Sequence, residues 1–149
     1  MKYIILLLSI LMSTQVQAIK CYLTMVKGNN WKAYDLTVDL LDAGTGKKKL
    51  TTLIAEGDLW SRDEFECKPG ETLSLEAKFS PAFWAGQEDK IYKGKHFRKL
   101  PNAIQPGETG WNVTLCFPRD FSGVPSPPDA NTNAECDLNA IPKIEPQKM

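Results

Sequence analysis

The alternation of apolar and polar residues between Thr72 and Phe79 constrains the fold of this chain more than any other feature. Its apolar positions are Leu73, Leu75, Ala77 and Phe79, and polar residues fill the positions between them. Successive side chains of a β-strand point to opposite faces, so this period of two predicts a half-buried strand.

The same period recurs along the chain, and no stretch after residue 18 shows a helical stripe of ten or more residues. Five further strands are predicted at Cys21–Val26, Leu36–Leu40, Lys48–Ile54, Asp63–Cys67 and Trp111–Phe117. Residues 43–46 carry two glycines between two of these strands, which is typical of a hairpin turn. Short strands joined by turns predict an all-β domain over residues 19–117, a small antiparallel β-sandwich that is immunoglobulin-like in general architecture.

One tetrapeptide, Pro-Gly-Glu-Thr, occurs twice, at residues 69–72 and 106–109. Proline presets the φ angle of the second position of a type II turn, and glycine supplies the positive φ of the third. Each copy precedes a predicted strand, so both are interpreted as chain reversals and not as parts of a site.

Residues 1–18 have the pattern of a cleavable secretory signal. Lys2 precedes an apolar run from Ile4 to Met12, and small residues stand near Ala18. The run is much shorter than the roughly 20 residues that cross a bilayer core, so no membrane anchor is expected after cleavage. Ile19 and Lys20 before Cys21 do not fit a lipoprotein signal. We therefore expect an exported protein, periplasmic or secreted.

The mature chain keeps all four cysteines, Cys21, Cys67, Cys116 and Cys136. An even number in an exported chain predicts two disulfides. Strand parity places Cys21 and Cys67 towards a core and Cys116 away from one, which favours the pairs Cys21–Cys67 and Cys116–Cys136; the other two combinations stay open. The spacings that zinc sites require are absent, and no metal or cofactor is predicted.

Residues 118–149 differ from the domain in composition. Six of the ten prolines lie there, beside Asp, Asn and Ser. Such a segment buries little, so we expect an extended Pro-rich tail that a disulfide through Cys136 attaches to the domain. Asp129, Asn131 and Asn133 imitate the start of a calcium loop, but Ala134 and Ala140 stand where glycine and glutamate are needed.

Catalytic motifs are scarce. His96 is the only histidine, which excludes sites with two histidine ligands, and no serine lies in a nucleophile turn. The cluster of Glu56, Asp58, Asp63, Glu64 and Glu66 offers carboxylate pairs. Glu64 and Glu66 are better explained as the outward face of a strand. Charge is nearly balanced after signal removal, which gives no support to a nucleic-acid partner.

Aromatic residues stand among basic ones in the irregular segment between residues 80 and 105. The candidate binding residues are Phe83, Trp84, Tyr92, Lys93, Lys95, His96 and Arg98. Flat rings beside cations suit sugars, anionic glycans or an acidic protein surface. The alternative is that Phe83, Trp84 and Phe97 cap the end of the core while the lysines are solvated.

Two function classes follow from these observations. The first is an exported, non-enzymatic binding or interaction module whose partner is a protein or a glycan. The alternative is a small secreted hydrolase that uses a carboxylate pair, which the sequence does not locate.

Overall fold

The computed structural model of the protein describes residues 19–128, 130 and 135–143. The predicted signal, residues 1–18, and the calcium-like positions Asp129, Asn131 and Asn133 lie outside them. Eight strands are present: β1 (Ile19–Lys27), β2 (Asp35–Asp42), β3 (Lys48–Ile54), β4 (Trp60–Cys67), β5 (Thr72–Ser80), β6 (Tyr92–Lys93), β7 (Arg98–Lys99) and β8 (Gly110–Phe117). Short 3-10 turns occur at Asn29–Trp31 and Leu138–Ala140.

The strands form two sheets that pack face to face, which confirms the predicted β-sandwich. One sheet has the order β4-β1-β8; the other has the order β3-β2-β5-β6, with β7 also on β5. All six predicted strands exist. The two that were not predicted, β6 and β7, have two residues each, too few to show alternation. The immunoglobulin-like detail is not confirmed.

The pairing of β1 with β8 differs from the prediction because it is parallel, with Leu23 opposite Val113. Every other ladder between strands is antiparallel. Parallel neighbours need a long connection. The first and last strands are joined through the whole second sheet, so they meet this condition.

The core lies between the sheets and contains the residues that alternation placed inward, together with Trp31, Leu100 and Phe121. Leu73, Leu75 and Ala77 of β5 are buried, as are Leu23 and Met25 of β1. Complete burial of one such aliphatic side chain stabilises a fold by roughly 1.5–3 kcal/mol. The inward faces of the two sheets therefore supply the main stabilising contacts.

Both predicted disulfides are confirmed. Cys21–Cys67 lies in the core and links β1 to β4, whereas Cys116–Cys136 ties residue 136 to the end of β8. The Cα atoms of each pair are 5.9 Å apart. Two disulfides indicate that the chain folds in an oxidising compartment.

The tail explains why the second half of β1 is buried on both faces. Thr24 and Val26 have the outward parity, yet both are buried. Cys136 Sγ lies 3.3 Å from the carbonyl oxygen of Val26, and Arg62 donates from Nε to Thr24 Oγ1 and from Nη2 to the carbonyl oxygen of Pro142, each at 2.8 Å. Residues 135–143 thus cover the part of the outer face of the smaller sheet that lies beside Thr24 and Val26.

The chain just after Phe117 also takes part in the fold. Phe121 is buried in the core cluster and pairs with Gly94 in an isolated bridge. Pro127 is buried as well. Composition predicts a domain boundary after residue 117, and this boundary stays a prediction. Apolar packing continues beyond it, through Phe121 and Pro127.

The two Pro-Gly-Glu-Thr segments are turns, as predicted. Gly70 and Gly107 have φ angles of 75° and 86°, in the left-handed region that favours glycine. In each copy the glutamate carboxylate accepts the backbone N–H of the residue before proline, Lys68 at 3.1 Å and Gln105 at 2.7 Å. The glutamate recurs because its side chain closes the turn.

Candidate functional site

The basic and aromatic segment is held against the edge of the larger sheet. Tyr92 and Lys93 of β6 pair with Ala77 and Glu76 of β5. The N–H of Gly94 donates to the carbonyl of Leu75 at 2.8 Å. On its other side the segment is bonded to residues 120–122, through Asp120 O and Ser122 N, each at 2.8 Å. The loop that joins β6 to β7 therefore has a fixed position.

Two of the predicted binding residues belong to the core. The ring of Tyr92 stacks on Phe79 at 5.5 Å, and burial raises the pKa of its hydroxyl. Phe83 is half-buried and packs on Trp31, Tyr34 and Phe79. For Phe83, the alternative interpretation as a cap on the core agrees with this packing.

Trp84 and Phe97 lie outside the core. Trp84 is 59% exposed, and its ring meets only the edge of Phe83, with centroids 5.7 Å apart. Phe97 is 72% exposed and makes no ring contact with any described residue. The cluster of aromatics in the sequence thus separates into inward rings and two exposed ones.

A cleft of about 390 Å³ lies between β5 and the loop that joins β6 to β7. We call it the Phe97 cleft; its lining residues are Ser74, Leu75, Glu76, Lys93, Gly94, Lys95, His96 and Phe97. It includes three of the predicted binding residues, Lys93, Lys95 and His96. Arg98 follows in β7 and does not line the cleft.

Strand parity explains which side chains reach the cleft. Ser74 and Glu76 share the outward parity of β5, whereas Leu75 points to the core. Lys93 lies directly opposite Glu76, so it projects to the same face. A Cβ at Gly94 would lie 3.5 Å from the Cβ of Leu75, an ordinary van der Waals distance, so the loop packs directly against β5.

The charged groups of the cleft form no ion pairs with one another. Glu76, Lys93, Lys95 and His96 form no side-chain hydrogen bond or ion pair with any described residue. The nearest acid on the same face, Asp39, is already engaged by Thr51 at 2.6 Å and by Lys48 at 3.5 Å. The cleft therefore presents the Glu76 carboxylate as a hydrogen-bond acceptor, and Lys93, Lys95 and the His96 ring as potential donors, to solvent.

Arg98 has a structural role instead. Its guanidinium lies 3.7 Å from Asp120, which also contacts Arg119 at 3.1 Å and accepts the N–H of Cys116 at 2.7 Å. Burial works to raise the pKa of Asp120, but Arg119 and the Cys116 N–H outweigh it and hold that pKa below its usual value. These contacts anchor residues 118–122 beside the cleft.

Glu56 and Asp58 of the predicted carboxylate cluster precede β4, and the other three carboxylates are distributed over both faces of that strand. Glu64 and Glu66 are exposed on the outward face, as expected, and Glu64 lies 3.7 Å from Lys20. Asp63 has the opposite parity and accepts a hydrogen bond from Thr52. Within the described residues, no group of three His, Cys, Asp or Glu side chains has the geometry of a metal site.

Sequence reasoning did not select Ser74, Glu76 or Phe97 as site residues. Alternation does place Ser74 and Glu76 on the outward face, but it cannot indicate that Lys93 lies opposite Glu76. The position of Lys93 follows from the pairing of β5 with β6. Strand β6 has only two residues, too few to show an alternating pattern in the sequence.

Comparison with protein-family models finds no matching family, and neither curated proteins nor solved structures match the chain. Among the described residues, no helix has the length and apolar character needed to span a membrane. The site must therefore be interpreted from its own chemistry.

Proposed function

We propose that this protein is an exported, non-enzymatic binding module and that its ligand binds in the Phe97 cleft. The observation that supports this proposal is the set of unpartnered charged side chains, Glu76, Lys93 and Lys95, beside the exposed ring of Phe97. Convergent polar groups beside an apolar surface are typical of small-ligand sites. Export is proposed from the signal pattern and agrees with the two disulfides.

Binding is favoured over hydrolysis because the carboxylates near the cleft are poorly arranged for acid–base chemistry. Glu76 lies opposite Asp39 across β2 and β5 on an open sheet face. Asp39 is held by Thr51 and Lys48 and is not free to activate water. A hydrolase would need one carboxyl group kept protonated by an apolar setting, which this exposed face does not supply.

The cleft also limits the kind of partner. A stable protein interface buries about 800 Å² on each side, which would extend far beyond these residues. A volume of about 390 Å³ lies in the lower part of the range for small-molecule sites. Of the two predicted partner classes, a glycan is the one that the size of the cleft favours.

The test is a ¹H–¹⁵N NMR titration of mature, oxidised protein with a library of sugars, amino acids, short peptides and small anions. We expect a ligand to shift the amides of residues 74–76 and 93–97. Ser74→Tyr fills the cleft from an outward strand position and should abolish the shifts. Thr37→Tyr is the matched control, because Thr37 has the same outward parity on β2 and lies outside the lining.

Both tyrosine variants should fold, since aromatic residues suit half-exposed strand positions. The proposal would be overturned if Ser74→Tyr bound the same compounds as wild type, or if no compound shifted the amides around the cleft.

A further inference from the structure

We infer that the ligand of the Phe97 cleft is an acidic sugar, a pyranose ring that carries one carboxylate. This inference rests on the proposed function and specifies the ligand class for the same site. It follows from the charges of the lining, from the exposed ring and from the size of the cleft.

The charges of the lining call for a ligand that both donates and accepts hydrogen bonds. Lys93 and Lys95 offer ammonium donors, while the Glu76 carboxylate can only accept. A simple anion would be attracted by the lysines but repelled by Glu76, which lies directly opposite Lys93. A ligand with a carboxylate for the lysines and hydroxyl donors for Glu76 satisfies both sides.

The net charge of the lining matches one carboxylate. Two lysines against one glutamate leave a single positive charge. Asp39 does not change this balance, since its carboxylate already pairs with Lys48 at 3.5 Å. A polyanion such as a nucleic-acid backbone would instead need a row of cations without an acid among them.

Phe97 supplies the apolar part of the site. Single exposed hydrophobic side chains are common on protein surfaces and need no explanation by themselves. Phe97 differs because its ring, 72% exposed, borders the unpartnered donors and acceptor of the cleft. The C–H face of a pyranose can pack on such a ring while its hydroxyls and carboxylate point to the charged side chains.

The size of the cleft limits how much of a ligand it can hold. About 390 Å³ accommodates one or two sugar units and not a folded protein surface. An acidic dipeptide has a comparable size and also carries a carboxylate. Its ammonium group could donate to Glu76, but it has no pyranose ring whose C–H face could pack on Phe97, so it serves as the competing ligand in the test.

The experiment is an NMR titration of the mature, oxidised protein with four probes: D-glucuronic acid, D-glucose, sodium acetate and the dipeptide Asp-Gly. We expect glucuronate to bind with a Kd in the millimolar range and at least about tenfold more tightly than any of the other three. Raising the salt concentration should weaken glucuronate binding and leave glucose binding unchanged. A uronic-acid disaccharide tests whether the sugar belongs to a glycan chain, and preference for either acidic form over glucose supports the inference.

Three variants assign the contacts. Lys93→Met with Lys95→Met should lower glucuronate affinity about tenfold and bring it near that of glucose. Phe97→Ala should weaken both sugars about fivefold, because both use the ring. Trp84→Ala is the matched control, since Trp84 is an exposed ring outside the lining, and it should change neither.

The inference fails if acetate or Asp-Gly binds as tightly as glucuronate, or if the lysine variant keeps the preference for the acidic sugar. In either case shifts at residues 74–76 and 93–97 would still support a ligand site in the cleft. Absence of shifts with these four probes overturns the inference alone, whereas absence of shifts with every compound of the larger library contradicts the proposed function as well.

Discussion

The two Pro-Gly-Glu-Thr turns place the same glutamate in two different surroundings, which allows one substitution to be measured against the other. Glu71 and Glu108 each close their turn by accepting a backbone N–H. The second carboxylate oxygen of Glu108 accepts the indole N–H of Trp111 at 2.8 Å. The second oxygen of Glu71 pairs with the ammonium group of Lys49. Exchange of each glutamate for glutamine isolates that difference.

The magnitudes follow from what each glutamine leaves unpaired. In both turns the amide NH₂ must face a donor, which loses one hydrogen bond and lowers the free energy of unfolding by about 1 kcal/mol. Glu71→Gln also removes the negative charge that pairs with Lys49, whose side chain is only 19% exposed. Breaking a fully buried pair costs about 3–5 kcal/mol, so this partly buried one should cost about 2. We expect about 3 kcal/mol for Glu71→Gln and about 1 kcal/mol for Glu108→Gln.

Urea unfolding of the oxidised protein, followed by tryptophan fluorescence, measures both values. A double-mutant cycle with Lys49→Met then isolates the pair, because the methionine keeps an apolar stem near Phe65. The coupling between Glu71 and Lys49 should be about 2 kcal/mol. Equal losses for the two glutamine variants, or a coupling near zero, would refute the claim that the ion pair distinguishes the turns.

Two further perturbations test the anchoring of the chain after β8. Asp120→Asn should lower the free energy of unfolding by about 2 kcal/mol near pH 7. The pKa of Asp120 is lowered in the folded state, so its stabilisation is present above the unfolded-state pKa of about 3.9 and is lost as pH falls through the folded value. The denaturation curves of the two proteins should therefore converge in acid. A difference in stability that stayed constant with pH would contradict this. Replacing Cys116 and Cys136 together by serine should cost about 3 kcal/mol and expose residues 135–143 to limited proteolysis, and a tail that stayed protected would count against the disulfide as its main attachment.

The prediction of the sandwich from sequence succeeded where each strand was long enough to have a period. In β5 the alternation from Leu73 to Phe79 matches the burial of every second residue. The same parity argument predicted the disulfides, since it placed Cys21 and Cys67 inward and Cys116 outward. These are local properties of single strands, which the chain records directly.

The pairing of one strand with another cannot be predicted from the pattern of either strand alone, and the incorrect predictions concern such pairings. The parallel contact of β1 with β8 joins residues about ninety positions apart, such as Leu23 and Val113. Burial of Thr24 and Val26 depends on the tail that covers them and not on their own strand. The sequence analysis likewise treats Tyr92 and Lys93 together as candidate binding residues, because it does not contain the pairing of β6. In the structure these neighbouring residues point to opposite faces of β6, Tyr92 to the core and Lys93 to the cleft.

Glu76 is the residue at which the rules for a stable sheet and the chemistry of the cleft disagree. It lies directly opposite Asp39 on the neighbouring strand, and like charges in this position destabilise a sheet. Asp39, on the same face, has partners on the next strand: Thr51 donates a hydrogen bond to its carboxylate, and Lys48 forms an ion pair with it. Lys93, on the other side of Glu76, forms no ion pair with it. Local rules of this kind are most often broken at functional sites, because a group held unpaired in the free protein can pair with a ligand. Glu76, Lys93 and Lys95, which form no ion pair with any described residue, therefore agree with the proposed ligand, which carries hydroxyls and a carboxylate.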